Sequence, residues 1–159
     1  MDDIVIKKLS SDEEVPYELL LLADPSMDII NDYIYRGDCY VAYINNNIVA
    51  AYVIIKTRPL TLELVNIAVS ETYQGKGIGK RVIFSAIDMA RGEGERVLEV
   101  GTGNSSIHQL ALYQKCGFRI VGIDRDFFKK HYKEIIIENG IECIDMIRLS
   151  LDLWRTPWG

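Results

Sequence analysis

The sequence has few of the residues that mark secreted, metal-binding and membrane proteins. It holds three cysteines in 159 residues. Cys39, Cys116 and Cys143 form no C-x-x-C or zinc-binding spacing, so we expect reduced, buried thiols and no metal site. The longest apolar runs are far shorter than a membrane span, and the first residues lack the basic and apolar regions of a signal peptide. We therefore expect a cytoplasmic protein without membrane segments.

Clusters of Lys and Arg are also missing, and the formal net charge is -5. Nucleic acid is a disfavoured partner, because a phosphate backbone is held mainly by basic clusters. A cationic acceptor suits this charge balance better. No internal repeat or low-complexity tract is present, and the length fits one domain with a sizeable core.

The most informative stretch is residues 62–91, in which a strand, a glycine-rich turn and a helix follow one another. Residues 62–69 are apolar and β-branched enough for a buried strand, and apolar residues recur at helical spacing over residues 82–90. The turn between them, residues 74–79, reads QGKGIG. Glycines let the main chain approach a ligand closely, and the next helix presents unpaired N–H groups to an anion, which predicts a diphosphate site. Three basic side chains add positive charge beside the turn: Lys76, Lys80 and Arg81.

The spacing of the glycines does not fit two familiar nucleotide-binding motifs. The dinucleotide fingerprint needs G-x-G-x-x-G after an early strand, whereas Gly75, Gly77 and Gly79 lie in mid-chain. The loop of the nucleotide hydrolases needs Gly-Lys-Ser/Thr, and here Arg81 follows the Gly-Lys pair. The pattern Gln/Arg-x-x-Gly-x-Gly/Ala is met from Gln74 onwards. That pattern resembles the acetyl-CoA pyrophosphate loop of the GNAT N-acetyltransferase superfamily.

The chain before this stretch predicts a strand, two helices and a hairpin. Residues 4–9 alternate as a first strand, and the capping residues at 10–13 predict a helix that reaches about Ala23. A second short helix is expected over residues 27–36, with Gly37 as its end. Asn45-Asn46-Asn47 then predicts a hairpin turn between two apolar runs.

The chain after this stretch predicts further strands, with a polar and aromatic connection beginning at Asp124. Asn139-Gly140 predicts a final hairpin between residues 135–138 and 141–151. The predicted order is β, α, α, β, β, β, α, β, α, β and the hairpin. We expect an α/β fold, with a mixed, mostly antiparallel central sheet of about seven strands flanked by about four helices.

This order resembles the GNAT acyl-CoA N-acyltransferase fold over nearly the whole chain, and a second motif agrees with it. Residues 111–118, ALYQKCGF, look like the A-x-Y-x-x-x-G-F ending of the family's helix after the fifth strand. Relatives often have Asn seven positions before that Tyr, whereas here Ser106 stands there and Asn104 lies two residues earlier. The chain is identified as a single GNAT domain covering residues 1–159.

The resemblance implies direct transfer of the acetyl group of acetyl-CoA to an amine within a ternary complex. Tyr113 would protonate the departing thiolate, and the Val69 N–H would polarise the thioester carbonyl. The main chain of residues 67–69 would pair with the pantetheine arm between splayed fourth and fifth strands. The residues implied at the cofactor are Ile67, Ala68, Val69, Gln74, Gly75, Lys76, Gly77, Ile78, Gly79, Lys80, Asn104, Ser106 and Tyr113.

Glu63 stands where the histone-type members of the superfamily carry a glutamate, and the resemblance implies that it is the catalytic base. It would take the acceptor's proton directly or through water. The alternative is a polar residue at a strand start, with the proton routed through water and backbone groups. Asp124, Asp126 and His131, with Tyr132 beside them, fall where the family often forms its acceptor pocket, so they are candidates for binding a cationic amine.

Residues 124–139 also look like those of a bacterial subgroup of GNAT proteins, some of which carry the label IAA acetyltransferase. If that label means indole-acetate, the molecule offers a carboxylate and a poorly nucleophilic indole nitrogen. An amine of a small molecule or a peptide is therefore the expected acceptor. Trp154 and Trp158 are expected to be packing residues or contacts of a homodimer.

Two other functions stay open from the sequence. Residues 97–103, VLEVGTG, resemble the first motif of S-adenosylmethionine-dependent methyltransferases, but those enzymes place that strand first in a doubly wound domain, and too few residues follow it here. A sensor domain that binds acyl-CoA without turnover is the second alternative. Both Glu63 and Tyr113 are present, which favours the enzyme.

Overall fold

The computed structural model describes residues 3–154, and the first half of the chain forms four strands and two helices. The predicted order of these elements is confirmed. They are β1 (Val5–Lys8), α1 (Tyr17–Ala23), α2 (Met27–Arg36), β2 (Asp38–Ile44), β3 (Asn47–Arg58) and β4 (Thr61–Val69).

The second half begins with a single 3-10 turn at Glu71–Tyr73 and the long helix that was predicted after the glycine turn. A small two-stranded hairpin stands apart from the main sheet. The elements are α3 (Ile78–Gly92), β5 (Val97–Gly103), α4 (Ile107–Lys115), β6 (Arg119–Asp124), α5 (Phe127–His131), β7 (Ile137–Glu138), β8 (Ile141–Glu142) and β9 (Met146–Asp152).

Seven strands form one sheet in the order β1-β2-β3-β4-β5-β9-β6. Every neighbouring pair is antiparallel except β4 and β5. The prediction of a mixed, mostly antiparallel seven-stranded sheet is therefore confirmed, with α1 to α4 as its flanking helices.

The core has two parts, one on each face of the sheet. On one face, α3 packs an apolar stripe that includes Val82, Ile83 and Ala86 against the strands, as its periodicity predicts. On the other face, Ile30 and Tyr33 of α2 pack with the residues of α1 and the opposite sides of β2 and β3. All three cysteines are free and buried, as expected.

Two tight turns confirm the asparagine signals in the sequence. Asn45 (φ 49°) and Asn46 (φ 67°) connect β2 to β3, and Asn139 (φ 56°) and Gly140 (φ 73°) connect β7 to β8. Positive φ at both central residues belongs to the type I′ turn, which Asn and Gly adopt at low cost.

The first helix is shorter than predicted, because residues 10–13 form a turn instead of its start. The Ser10 hydroxyl donates to Asp12 and Glu13, and the Ser10 N–H donates to the Glu13 carboxylate at 2.9 Å. These side chains therefore satisfy one another and do not cap a helix. The helix begins at Tyr17, directly after Pro16.

The last predicted strand was also wrong in its extent, because residues 141–151 are not one strand. β8 ends at Glu142, and β9 begins at Met146 and enters the sheet between β5 and β6. The polar and aromatic connection after β6 contains the helix α5, which the sequence analysis missed.

In the described part of the chain no helix is long and apolar enough to cross a membrane. Residues 3–154 contain no group of three or more His, Cys, Asp or Glu side chains arranged to hold a metal ion.

Candidate active site between β4 and β5

The strands β4 and β5 separate halfway along, as the resemblance implied. They pair from Thr61 and Val97 as far as Leu64 and Val100, and no pair joins them beyond that point. The rest of β4 stays paired to β3, and the rest of β5 stays paired to β9. One backbone edge of each strand therefore faces the gap between them.

A cavity of about 220 Å³ lies at this gap. Its walls come from both separating strands, from α4 and the residue before it, from the end of α1 and the connection after it, and from α5 and the chain that follows it. Polar side chains in its lining include those of Asp24, Asn66, Ser106, Tyr113, Tyr132 and Glu138.

The glycine turn leads from β4 into α3. Gly75 (φ +76°) and Gly77 (φ +79°) adopt the left-handed conformation that favours glycine, and Gly77 is the residue before the first turn of α3. Because glycine has no side chain, it cannot accept from the first N–H groups of the helix, and these groups remain for a ligand. The Gln74 amide donates to the Val69 carbonyl at 3.0 Å and ties the turn to the end of β4.

The basic side chains beside the turn lie at its surface, where an anion could reach them. Lys76 stands over the Tyr73 ring at 5.4 Å, and Lys80 stands over the Phe84 ring at 5.9 Å. Neither lysine is in an ion pair with a carboxylate of residues 3–154. The turn thus combines free backbone donors with positive charge, which is what a diphosphate requires.

Tyr113 of α4 belongs to the hydrophobic core and is also in the lining of the cavity. Its side chain is 3% exposed and packs edge-on against Phe118, with ring centroids 5.9 Å apart. Burial raises the pKa of Tyr113 above its usual range, which makes the phenol a weaker acid than an exposed tyrosine; like any tyrosine, it is protonated at neutral pH. A protonated hydroxyl beside the cavity has the form that a general acid needs.

Glu63 lies in the part of β4 that is paired with β5. It lines a second cleft, of about 580 Å³, together with residues of β5, β6 and β9. Its carboxylate is 3.5 Å from Arg148 Nη1. Burial raises the pKa of Glu63, and the positive charge of Arg148 acts in the opposite direction. The residue is not in the lining of the 220 Å³ cavity.

The three predicted acceptor residues do not come together in the structure. Asp124 accepts from Arg148 Nη2 at 3.3 Å in the cleft that also contains Glu63. Asp126 precedes α5 with φ 61°, and its N–H donates to Asp145 at 2.8 Å. His131 is exposed and lies beside the Phe127 ring. None of the three lines the cavity between β4 and β5.

Asn104 and Ser106 follow β5 and differ in what their side chains contact. The Asn104 amide donates to the Glu142 carbonyl and accepts from the N–H groups of Ile144 and Asp145. It therefore holds the chain between β8 and β9 in place. Ser106 lines the cavity and donates to Glu138 at 2.9 Å.

A buried polar chain that the sequence analysis did not find lies in the cavity wall. Asp24, between α1 and α2, accepts from the hydroxyls of Tyr33 and Tyr132, each at 2.9 Å. Asn66 of β4 donates to the Tyr33 hydroxyl at 2.8 Å. Tyr132 was considered as an acceptor residue, but Asp24, Tyr33 and Asn66 were not.

One signal for this chain was present in the sequence. Asn66 interrupts the apolar run of β4, LVNIAV, at a position that is buried. A polar side chain in a buried strand needs a hydrogen-bond partner. Its presence therefore indicates that other polar groups lie buried next to it. Asp24 gave no comparable signal, because an acidic residue before Pro25 reads as an ordinary helix connection.

The sequence profile of the Acetyltransferase (GNAT) family matches residues 7–118. The uncharacterised N-acetyltransferase YvbK of Bacillus subtilis (strain 168) is 59% identical over 137 residues, which are 86% of this chain and 88% of that protein.

Two solved structures share both the fold and much of the sequence. The IAA acetyltransferase from Bacillus cereus ATCC 14579 superposes with a TM-score of 0.91 and 55% identity, over 94% of this chain and 99% of that one. A GNAT family acetyltransferase from Elizabethkingia anophelis, solved with acetyl-CoA bound, superposes with a TM-score of 0.93 and 46% identity, over 96% and 99% of the two chains.

Proposed function

Because the chain belongs to the GNAT family of acetyltransferases, we propose that it transfers the acetyl group of acetyl-CoA directly to an amine within a ternary complex. The observation that carries the proposal is the gap between β4 and β5, with a glycine turn and the start of α3 at its end. The relative from Elizabethkingia anophelis holds acetyl-CoA in the same fold. A cytoplasmic location and a homodimer stay predictions from the sequence.

The cofactor would lie along the gap. Gln74, Gly75, Lys76, Gly77, Ile78, Gly79 and Lys80 would hold the diphosphate, and the unpaired edge of β4 at Ile67, Ala68 and Val69 would bond the pantetheine arm. We assign the polar contact beyond β5 to Ser106, because the Asn104 amide already has three backbone partners.

The chemical step breaks one bond and forms another at the thioester carbon. The amine nitrogen attacks the carbonyl carbon, and the Val69 N–H stabilises the developing oxyanion. The C–S bond then breaks, and Tyr113 gives its proton to the CoA thiolate. The products are the acetylated amine and free CoA, and the proton that the acceptor nitrogen loses returns through the base or water to restore the Tyr113 phenol.

Glu63 is our proposed base, acting through water because it lies outside the cavity lining. A base works when deprotonated, so the rate should rise with pH through the pKa of Glu63. In an Arg148→Ala variant the opposing positive charge is gone, and this rising limb should move to higher pH. In Glu63→Gln the limb should disappear.

These two variants are compared by pH profiles of kcat/KM with one amine acceptor. If Glu63→Gln keeps the wild-type profile, water and backbone groups carry the proton instead, and Glu63 is a polar residue at a strand start. Arg148 also contacts Asp124, so Asp124→Asn serves as the matched control for loss of that ion pair.

The first experiment is a calorimetric titration with acetyl-CoA, followed in the same sample by S-adenosylmethionine. Binding of acetyl-CoA supports the proposal, and release of free thiol in an amine screen then separates an enzyme from a sensor. Binding of S-adenosylmethionine alone would favour the methyltransferase alternative. That alternative needs an open glycine turn, but Gly101 and Gly103 lie in β5, close to Met146 and Cys143.

A further inference from the structure

The cavity between β4 and β5 carries negative charge and no positive charge. Two carboxylates, Asp24 and Glu138, are in its lining. No Lys, Arg or His is among the lining residues that the structure describes. A ligand that enters this cavity therefore meets a field that favours a cation.

Asp24 is the deeper of the two carboxylates, with 7% of the residue exposed. Three neutral donors reach it: the hydroxyls of Tyr33 and Tyr132, and the Ser26 N–H at 3.2 Å. Within residues 3–154 no basic side chain lies within ion-pair distance of it. A carboxylate taken out of water is costly without a countercharge, and this one has hydrogen bonds but no cation.

Asn66 adds an acceptor without a donor to the same wall. Its amide Nδ2 donates to the Leu20 carbonyl at 3.0 Å and to the Tyr33 hydroxyl at 2.8 Å. These two bonds fix the orientation of the side chain. Its Oδ1 is buried and accepts from no donor in the described part of the chain. A buried acceptor without a donor is rare in a folded protein, and this one belongs to a residue in the cavity lining.

We propose that Asp24 and Asn66 form the subsite for the acceptor's ammonium group, and that the acceptor is a primary alkylammonium with no carboxylate near its nitrogen. An ammonium group supplies the positive charge that Asp24 lacks and the N–H donor that Asn66 Oδ1 lacks. A carboxylate close to the amine would face Asp24 and Glu138 without a compensating cation. This inference rests on the proposed acetyl transfer.

A purely structural role for the network makes a different prediction. Asp24 and Tyr132 are far apart in the sequence, and their hydrogen bond ties the connection between α1 and α2 to the residue after α5. If the network did only this, replacing Asp24 would lower stability and would leave discrimination between cationic and zwitterionic ligands unchanged.

The test is a calorimetric titration of CoA-saturated protein with two probes, n-butylammonium and γ-aminobutyrate. The two have the same amine and differ by a carboxylate in place of the terminal methyl group. Each probe is titrated into the wild type and into the variants Asp24→Asn and Glu134→Gln. The second variant removes one carboxylate from an exposed position outside the cavity, so it controls for net charge.

We expect n-butylammonium to bind the wild type at least about tenfold more tightly than γ-aminobutyrate does, and Asp24→Asn to weaken it at least about tenfold. Glu134→Gln should change it less than about twofold. Equal binding of the two probes to the wild type, absence of n-butylammonium binding, or an unchanged affinity in Asp24→Asn overturns the inference.

The two proposals fail separately. Saturation with CoA is measured first in each sample, so loss of CoA binding in the wild type would count against acetyl transfer and not against the subsite alone. Should Asp24→Asn melt at a much lower temperature, the comparison of the two probes on the wild type still decides the inference.

Discussion

Tyr113 is a buried residue in the lining of the cavity, and its phenol is protonated at neutral pH. We predict that Tyr113→Phe lowers kcat at least about tenfold, because general acid catalysis typically contributes about 100-fold or more. The affinity for acetyl-CoA should change little, since the ring and its packing against Phe118 are retained. Thiol release and calorimetry measure the two quantities. Full turnover would make Tyr113 a packing residue.

Gly77 offers a test of the diphosphate site that separates charge from shape. A Cβ at this position would meet no heavy atom within 4 Å, but φ is +79°. Asn tolerates that conformation better than most residues and is close to Asp in size. We predict that Gly77→Asp binds acetyl-CoA at least about tenfold more weakly than Gly77→Asn, because the carboxylate repels the diphosphate. Equal affinities in calorimetry would remove this turn from the site.

The residues differ in how readily the sequence reveals their roles. Tyr113 and the glycines at 75 and 77 lie in motifs whose spacing is local, so the sequence was enough to propose them. Asp24 and Tyr132 meet only through the fold, across a separation of 108 positions. No local pattern encodes such a pair, and the polar residue Asn66 in β4 was the single visible trace of it.

At the scale of elements, the end of β5 is packed too closely for a larger residue at Gly103. A Cβ there would overlap the Cys143 sulfur and would lie 3.4 Å from Ser106 Oγ and 3.5 Å from Phe128 Cε2. We predict that Gly103→Ala lowers the free energy of unfolding by about 1–3 kcal/mol. Urea unfolding measures this difference.

Two further variants make that prediction specific. Adding Cys143→Ala removes the overlapping sulfur, so the double variant should be more stable than Gly103→Ala alone. Gly122→Ala in β6 is the matched control, because a Cβ there meets nothing within 4 Å. If Gly122→Ala lowers the free energy of unfolding by as much, the effect comes from replacing a strand glycine and not from the contact with Cys143.

The elements that sequence patterns missed have physical reasons. α5 has five residues, too few for a helical period to show, and its aromatic rings pack on one another. The extent of the last strand was wrong because the break before β9 depends on Asn104, whose amide oxygen accepts from the N–H groups of Ile144 and Asp145 across about 40 positions of the chain. The long helix α3 and the asparagine turns were predicted because one segment alone specifies each of them.

At the scale of the whole molecule, buried tyrosines make stability depend on alkaline pH. Burial raises the pKa of Tyr33, Tyr113 and Tyr132, whereas an unfolded tyrosine titrates near pH 10. The folded state therefore keeps protons that the unfolded state releases. The contribution of each such tyrosine to the free energy of unfolding is complete below about pH 10. Above that pH it falls by up to about 1.4 kcal/mol per pH unit.

Urea unfolding at neutral pH and above the ordinary tyrosine pKa of about 10 measures that fall. Tyr113→Phe should reduce the slope by one proton, because it removes one of the five tyrosines whose pKa is raised in the described part of the chain. Equal stability at both pH values would show that these phenols ionise in the folded protein as readily as in the unfolded chain.

The separation of β4 from β5 divides the sheet into two parts. One contains β1 to β4, the other contains β5, β9 and β6, and four residue pairs join them. A ligand that forms hydrogen bonds along the gap would connect these two parts of the sheet. The sheet of the protein alone is thus open between these strands, and in the proposed complex acetyl-CoA would occupy the opening. Binding to the folded state would raise the free energy of unfolding with the logarithm of the ligand concentration above Kd, so the acetyl-CoA level of the cell would set both the bound fraction and the stability of this protein.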